Sequence, residues 1–260
     1  MMFSWLFGKR RRFGVDVSSV SEQGLVRRDN QDNFFIDPRN AVFCVADGMG
    51  GGQGGAKASE IVCERMAKAA DAAKSFPELM KCAGDAIHEA NAEIRAYAAE
   101  RKWRQMGSTL AAMFLDNENR GLGVICHVGD SRIYRVRAGS LELLTHDHTV
   151  AGEIGRRTSC RELSEELARR MGQLSHVLTR AVGIEDSVIP DWRKIDVREG
   201  DSYMLCSDGI YDMLEREFIR DVLARPEPAA DAVAAISRAV TDAGAHDNFT
   251  CIVVKIGGDA

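Results

Sequence analysis

Five aspartates stand at or near the ends of apolar, strand-like runs, each inside a glycine- or serine-rich turn. They are Asp32 in Arg27-x-x-Asn30-Gln31-Asp32, Asp47 in Asp47-Gly48-Met49-Gly50-Gly51, Asp130 in Gly129-Asp130-Ser131-Arg132, Asp208 in Ser207-Asp208-Gly209, and Asp247 in Asp247-Asn248. Carboxylates brought together without partners repel one another and titrate upward, so such a cluster is tolerable around bound cations. A ligand set made of oxygen alone points to a hard metal, Mg²⁺ or Mn²⁺.

The elements that must carry these residues follow from periodicity. Strand signals run from Phe13 to Val17 and from Asn33 to Ile36, and the apolar run Ala41 to Ala46 delivers Asp47. Alanine-rich sequence from Ala56 to about Ser75 predicts a helix. Beyond Pro77, apolar residues at three- and four-residue spacing, from Leu79 to Tyr97, predict a second helix antiparallel to it. Strands are then expected at Leu110 to Leu115, Gly121 to Val128, Ser131 to Arg137 and Leu141 to Leu144, joined by short turns as an antiparallel meander. Residues 149–180 are expected to form a loop-rich flap, with one short helical stretch that Ser164 would cap. Further strands at Arg193 to Val197 and Asp201 to Cys206, helices at Glu217 to Ala224 and Pro228 to Asp242, and a last strand from Phe249 to Ile256 complete the pattern.

With no composition break in 260 residues, the chain is expected to form one domain over 13–256, between an N-terminal tail, 1–12, and a C-terminal tail, 257–260. The net charge of -5 argues against nucleic acid as a partner, because phosphate-backbone binding needs a basic stripe. The seven cysteines are widely spaced without a Cys-x-x-Cys pair, which fits buried thiols of a cytoplasmic protein. The tail couples Phe3, Trp5, Leu6 and Phe7 to Lys9-Arg10-Arg11-Arg12. Residues 3–12 thus suit weak contact with a membrane surface or partner, and equally a frayed end. No segment is long enough to span a bilayer.

Read in order, the aspartate motifs resemble the metal-dependent serine/threonine protein phosphatases of type 2C, in their bacterial form. The resemblance covers about Phe13 to Ile256. It also takes in Met106-Gly107-Ser108-Thr109, Leu144-Thr145-x-Asp147-His148 and Thr179-Arg180-Ala181-x-Gly183. It implies an α+β fold, a four-layer α/β/β/α sandwich of two antiparallel sheets flanked by antiparallel helix pairs. It implies that Asp47 bridges two core Mn²⁺ or Mg²⁺ ions, with the Gly48 carbonyl on one ion and Asp208 and Asp247 on the other. Asp32 would hold metal-bound waters, and Asp130 with Asp208 would bind a third, weaker ion. The implied reaction is hydrolysis of phosphoserine or phosphothreonine on proteins by a hydroxide raised on the metals. Arg27 would grip the phosphate with its planar fork, and Asp32 would orient the water or accept its proton. By analogy the setting is bacterial signalling, in which a Ser/Thr kinase is opposed by this enzyme.

Two positions depart from the family pattern. Met49 stands where many relatives carry a histidine able to protonate the leaving group, and Gln31 stands where Glu is common. The missing histidine at Met49 leaves open a catalytically silent, phosphatase-like module that binds phosphoproteins. A metal-dependent nuclease is disfavoured by the acidic balance. Gly50-x-Gly52-x-x-Gly55 also fits a dinucleotide fingerprint, but Asp47 would set a carboxylate beside the pyrophosphate.

Overall fold

The structure, a computed structural model, describes residues 13–50, 53–103, 105–117, 119, 121–157 and 174–259. Strands β3 (Val42–Met49) and β5 (Leu110–Leu115) are apolar almost throughout because both of their faces are covered. Successive side chains point to opposite faces, so Val42, Cys44, Ala46, Leu110, Ala112 and Phe114 pack under helices. Phe43, Val45, Ala111 and Met113 face the other sheet.

One sheet runs β2 (Asp32–Asp37), β3, β5, β6 (Leu122–Val128) and β9 (Asp191–Asp196), with the short β4 (Gly107–Ser108) alongside β3. The second runs β1 (Phe13–Glu22), β11 (Phe249–Asp259), β10 (Ser202–Cys206), β7 (Arg132–Arg137) and β8 (Ser140–Leu143). Neighbouring strands pair antiparallel in both. Helices α1 (Gln53–Ala72) and α2 (Phe76–Arg101) cover the first sheet. Beyond the 150s lie α4 (Asp208–Tyr211), α5 (Arg216–Ala224) and α6 (Ala229–Asp242), and α5 and α6 cover the second sheet. The inter-sheet core, with Tyr203, Leu205, Ile252 and Val254 opposite Phe43 and Met113, completes the four layers. The α+β sandwich expected from the sequence is the fold observed.

The expected meander is not. β5 and β6 form one hairpin and β7 and β8 another, in different sheets, so the turn Gly129-Asp130-Ser131 carries the chain across the sandwich. Gly129 makes the crossing with φ +94, and a Cβ there would lie 2.6 Å from Thr109 Cγ2. The last strand also runs past Ile256 to Asp259, which pairs with Phe13, so residues 257–259 are strand where a tail was expected. The flap region opens with a helix, α3 (Val150–Arg157), and the Thr149–Leu178 bridge closes its base. Ser164 and its helical stretch lie outside the described residues, as do residues 3–12. Among the described residues no helix is long and apolar enough to cross a membrane.

Candidate active site

Asp32 and Asp47 are directly opposed across the β2–β3 ladder, which sets the first two carboxylates side by side at one end of the first sheet. Asp47 is held by its backbone: its N–H donates to Thr109 Oγ1 at 2.9 Å, and its carbonyl accepts from Thr109 N at 2.8 Å. The Ser108 hydroxyl donates to the same carbonyl at 3.1 Å, which gives the Gly107-Ser108-Thr109 motif its purpose. From the second sheet, Asp208 follows β10 and opens α4, while Asp247 precedes β11. Ser207 ties the sheets together, donating to Asp32 Oδ2 at 2.6 Å. Asp130 enters from the crossing turn, where its carbonyl accepts from the Tyr211 hydroxyl at 3.1 Å.

Asp47 stands at the focus of the other four carboxylates. Burial, then the neighbouring Asp32, Asp208, Asp130 and Asp247, push Asp47 well above the ordinary carboxylate range. Asp208 is pushed up to about 8 by burial, then by Asp130 and Asp247. Burial raises Asp130 to about 6, with Asp147 adding to it. Asp32 rises to about 6 by burial, against the hydrogen bond from Ser207, which favours its charged form. Such mutual repulsion among oxygen donors suits divalent cations, and the donor set therefore fits the metal that the family implies.

Arg27 lies at the rim, half-exposed, with Nη2 donating to Asp247 Oδ2 at 2.5 Å. That bond first, and the charges of Asp208 and Asp47 after it, raise the guanidinium pKa. Asn248 anchors the loop carrying Arg27: its Nδ2 donates to the Gln23 and Asp29 carbonyls, and its Oδ1 accepts from Gln31 N at 2.9 Å. The Gln31 side chain lies against the first turn of α1, where a Cβ on Gly55 would come within 2.0 Å of Oε1. Met49, two residues past Asp47 on β3, pairs with Gly107 and lines a cleft beside α2.

Gly48 allows β3 to pass under α1. A Cβ there would lie 2.0 Å from Gly55 O and 2.7 Å from Gln31 O, both backbone atoms that cannot turn away. Its own carbonyl faces the same first turn, with a Cβ on Gly55 placed 2.6 Å from it. Gly48→Ala is therefore expected to destabilise the fold by about 3 kcal/mol or more, read as a lowered melting temperature in chelator. Unchanged melting would show that the close approach is dispensable.

Sequence reasoning passed over several residues here. Ser207 and Thr109 act through hydrogen bonds that no spacing rule marks. His176 and Asp212 offer ligand atoms within 4.8 Å of Asp208, and a signal existed for Asp212, four residues after Asp208 on a helical turn. The rings of His127 and His148 stack at 4.5 Å. His148 Nδ1 accepts from Gly129 N at 3.1 Å, so in the neutral ring Nε2 keeps the proton and faces Asp191 Oδ2 at 3.3 Å. Asp147 receives a bidentate bond from Arg132, at 3.0 and 2.6 Å.

The comparisons with known proteins match this geometry. A sequence model of the family described as protein phosphatase 2C matches residues 18–250. The chain belongs to that family. It is a metal-dependent protein serine/threonine phosphatase, and the silent-module alternative is not favoured. Protein phosphatase PhpP of Streptococcus pneumoniae is 28% identical over 248 residues, 93% of this phosphatase and 98% of its own length. Among solved structures, PppA, described as a key regulatory component of T6SS in Pseudomonas aeruginosa, superposes with a TM-score of 0.82 at 30% identity. That match covers 93% of this chain and 97% of PppA. The catalytic domain of the phosphatase PstP, solved with 2 manganese ions, gives a TM-score of 0.78 at 28% identity over 94% of this chain and 99% of its own.

Proposed function

We propose that the phosphatase works through two divalent ions, Mn²⁺ or Mg²⁺, held by Asp47, the Gly48 carbonyl, Asp208 and Asp247, with a third, weaker ion at Asp130 and Asp208. The observation that carries this reading is the convergence of five aspartates from both sheets, four of which act together to raise the proton affinity of the buried Asp47. When bound, the ions lower the pKa of a water and neutralise charge on the phosphoryl oxygens. Asp32, held by Ser207 at 2.6 Å, orients the attacking water or accepts its proton. Arg27 places the phosphate for in-line attack, one arm of its fork on Asp247 and its other donors on the ester. Gln31 supports the site through the packing of its side chain under α1. Met49 cannot donate a proton, so the leaving alkoxide takes its proton from water.

The substrates are phosphoproteins. The kinase they come from, the cytoplasmic setting and attachment of residues 3–12 to a membrane belong to this proposal alone. The role of PppA as a regulatory component of T6SS supports a place for this chain in a comparable bacterial signalling circuit. The test is phosphate release from a phosphothreonine peptide with Mn²⁺ and then with excess chelator. Turnover that stops with chelator and returns with Mn²⁺ is expected, and turnover that ignores both would refute the metal mechanism.

Arg27 offers a sharper test of phosphate anchoring. Loss of a charge-assisted contact costs about 1.5–3 kcal/mol, so Arg27→Ala is expected to lower kcat/KM by roughly 10- to 150-fold. Arg27→Lys should recover part of that, because an ammonium cannot replace the planar fork. Arg28→Ala should be nearly neutral. Greater sensitivity at Arg28 would move the anchor to the neighbouring residue.

A further inference from the structure

A cleft of about 630 Å³ begins at Met49 and runs between the C-terminal end of α2 and residues 178–189. Met49 lies two residues past Asp47 on the same strand, so the cleft opens off the carboxylate end of the sandwich. Its wall carries three of the large apolar side chains that the described surface exposes: Trp103, Ile184 and Ile189, at 36%, 43% and 70% exposure. Apolar groups exposed together beside a catalytic centre indicate contact with a partner rather than chance.

Both walls are fixed in advance. Lys102 adopts φ 57 at the end of α2, and the chain folds back so that Trp103 N donates to Ala98 O at 2.9 Å. The Trp103 ring then stands edge-on to Tyr97 at 6.0 Å and against α1, where a Cβ on Gly54 would touch it at 3.3 Å. On the other wall, the buried Asn91 of α2 accepts from Gly183 N at 2.7 Å and donates to Glu185 O at 3.0 Å. Gly183, at φ +96, passes so near α2 that a Cβ would lie 2.2 Å from Ile94 Cγ2. The intervening Ile184 is thereby held over Gly107.

The guanidinium groups of the cleft are already engaged. Arg180 bonds Asp191 at 2.7 Å and Glu153 at 3.3 Å, and Arg95 bonds Asp186. Beside these paired groups and the polar Gln105, Thr179 and Ser187, the cleft presents Trp103, Ile184 and Ile189, a fixed apolar strip that favours an aliphatic or aromatic side chain at low entropic cost.

We propose that this cleft is the peptide subsite of the phosphatase and accepts an apolar side chain flanking the phosphoserine or phosphothreonine. The inference rests on the phosphatase reading above, and the test separates the two. Phosphothreonine peptides carrying Leu, Phe, Ala or Lys at each flanking position in turn are compared with p-nitrophenyl phosphate, which occupies the phosphate end alone. Leu or Phe at one position is expected to raise kcat/KM about 10-fold over Ala, mainly through KM. In Trp103→Ala/Ile189→Ala that advantage should fall within about twofold while p-nitrophenyl phosphate hydrolysis is unchanged. Ile189→Asp, at an exposed position that should not disturb folding, is expected to turn the preference toward Lys. Equal rates for all flanking residues, or an apolar preference that survives both variants, would overturn the proposal. No hydrolysis of p-nitrophenyl phosphate or of any peptide by wild type with Mn²⁺ would overturn the phosphatase reading itself, and the subsite with it.

Discussion

Asp208→Asn is expected to lower turnover by about 10³-fold or more while raising the melting temperature of the metal-stripped protein. Its carboxylate is one of the proposed ligands, and metal stabilisation of a phosphoryl transition state amounts to several kcal/mol, each 1.4 kcal/mol being tenfold in rate. The opposite effect on stability follows from the same charge. Asp208 is pushed up to about 8 by burial and by Asp130 and Asp247, so the ionised side chain disfavours the fold near neutral pH. The near-isosteric amide removes that repulsion, and each kcal/mol relieved is worth about 2–4 °C. Peptide turnover with Mn²⁺ and a thermal melt in chelator check the two halves. Full activity would remove Asp208 from the ligand set, and a lowered melting temperature would give it a structural role instead.

Metal should stabilise the wild-type fold strongly, by about 2.7 kcal/mol when Mn²⁺ stands at ~100 times its dissociation constant. The effect should grow with pH. Asp32 and Asp130, raised to about 6, and Asp208, raised to about 8, contribute stability in full below the unfolded carboxylate pKa. That contribution is lost as pH rises through about 6 and then about 8, so the metal-stripped protein should weaken across this window. Carboxylates lowered by arginines act elsewhere: Asp191, with Arg180 drawing it down against burial to about 2, loses its contribution only in strong acid. Cations favour the ionised form of the cluster, so melting temperature in Mn²⁺ should stay nearly flat where the chelated protein declines. Parallel pH profiles with and without Mn²⁺ would show that the aspartates do not share the ion.

The strands that deliver the aspartates were legible because a run covered on both faces, such as Val42 to Ala46, cannot be anything exposed. The order of the aspartate motifs carried the family. The crossing at Asp130 was hidden, since Gly129-Asp130-Ser131 has the composition of a hairpin turn and only the pairing of β6 and β7 with different strands shows that it changes sheets. Trp103 escaped notice for a related reason: α2 ends on a left-handed lysine rather than the usual glycine, so nothing in the sequence announced the reversal that exposes the ring. His176 enters the site from a segment without periodicity, and its nearness to Asp208 and Asp212 is a tertiary fact.

Whether the aspartates hold metal together is measured most directly, and without reference to turnover, by the loss of the free Mn²⁺ resonance on titrating protein. Wild type should take up about two equivalents tightly and a further one weakly, and Asp47→Asn, which removes the proposed bridge, should lose the tight uptake while keeping a native melt. Undiminished tight binding by Asp47→Asn, or none by wild type, would contradict the shared site.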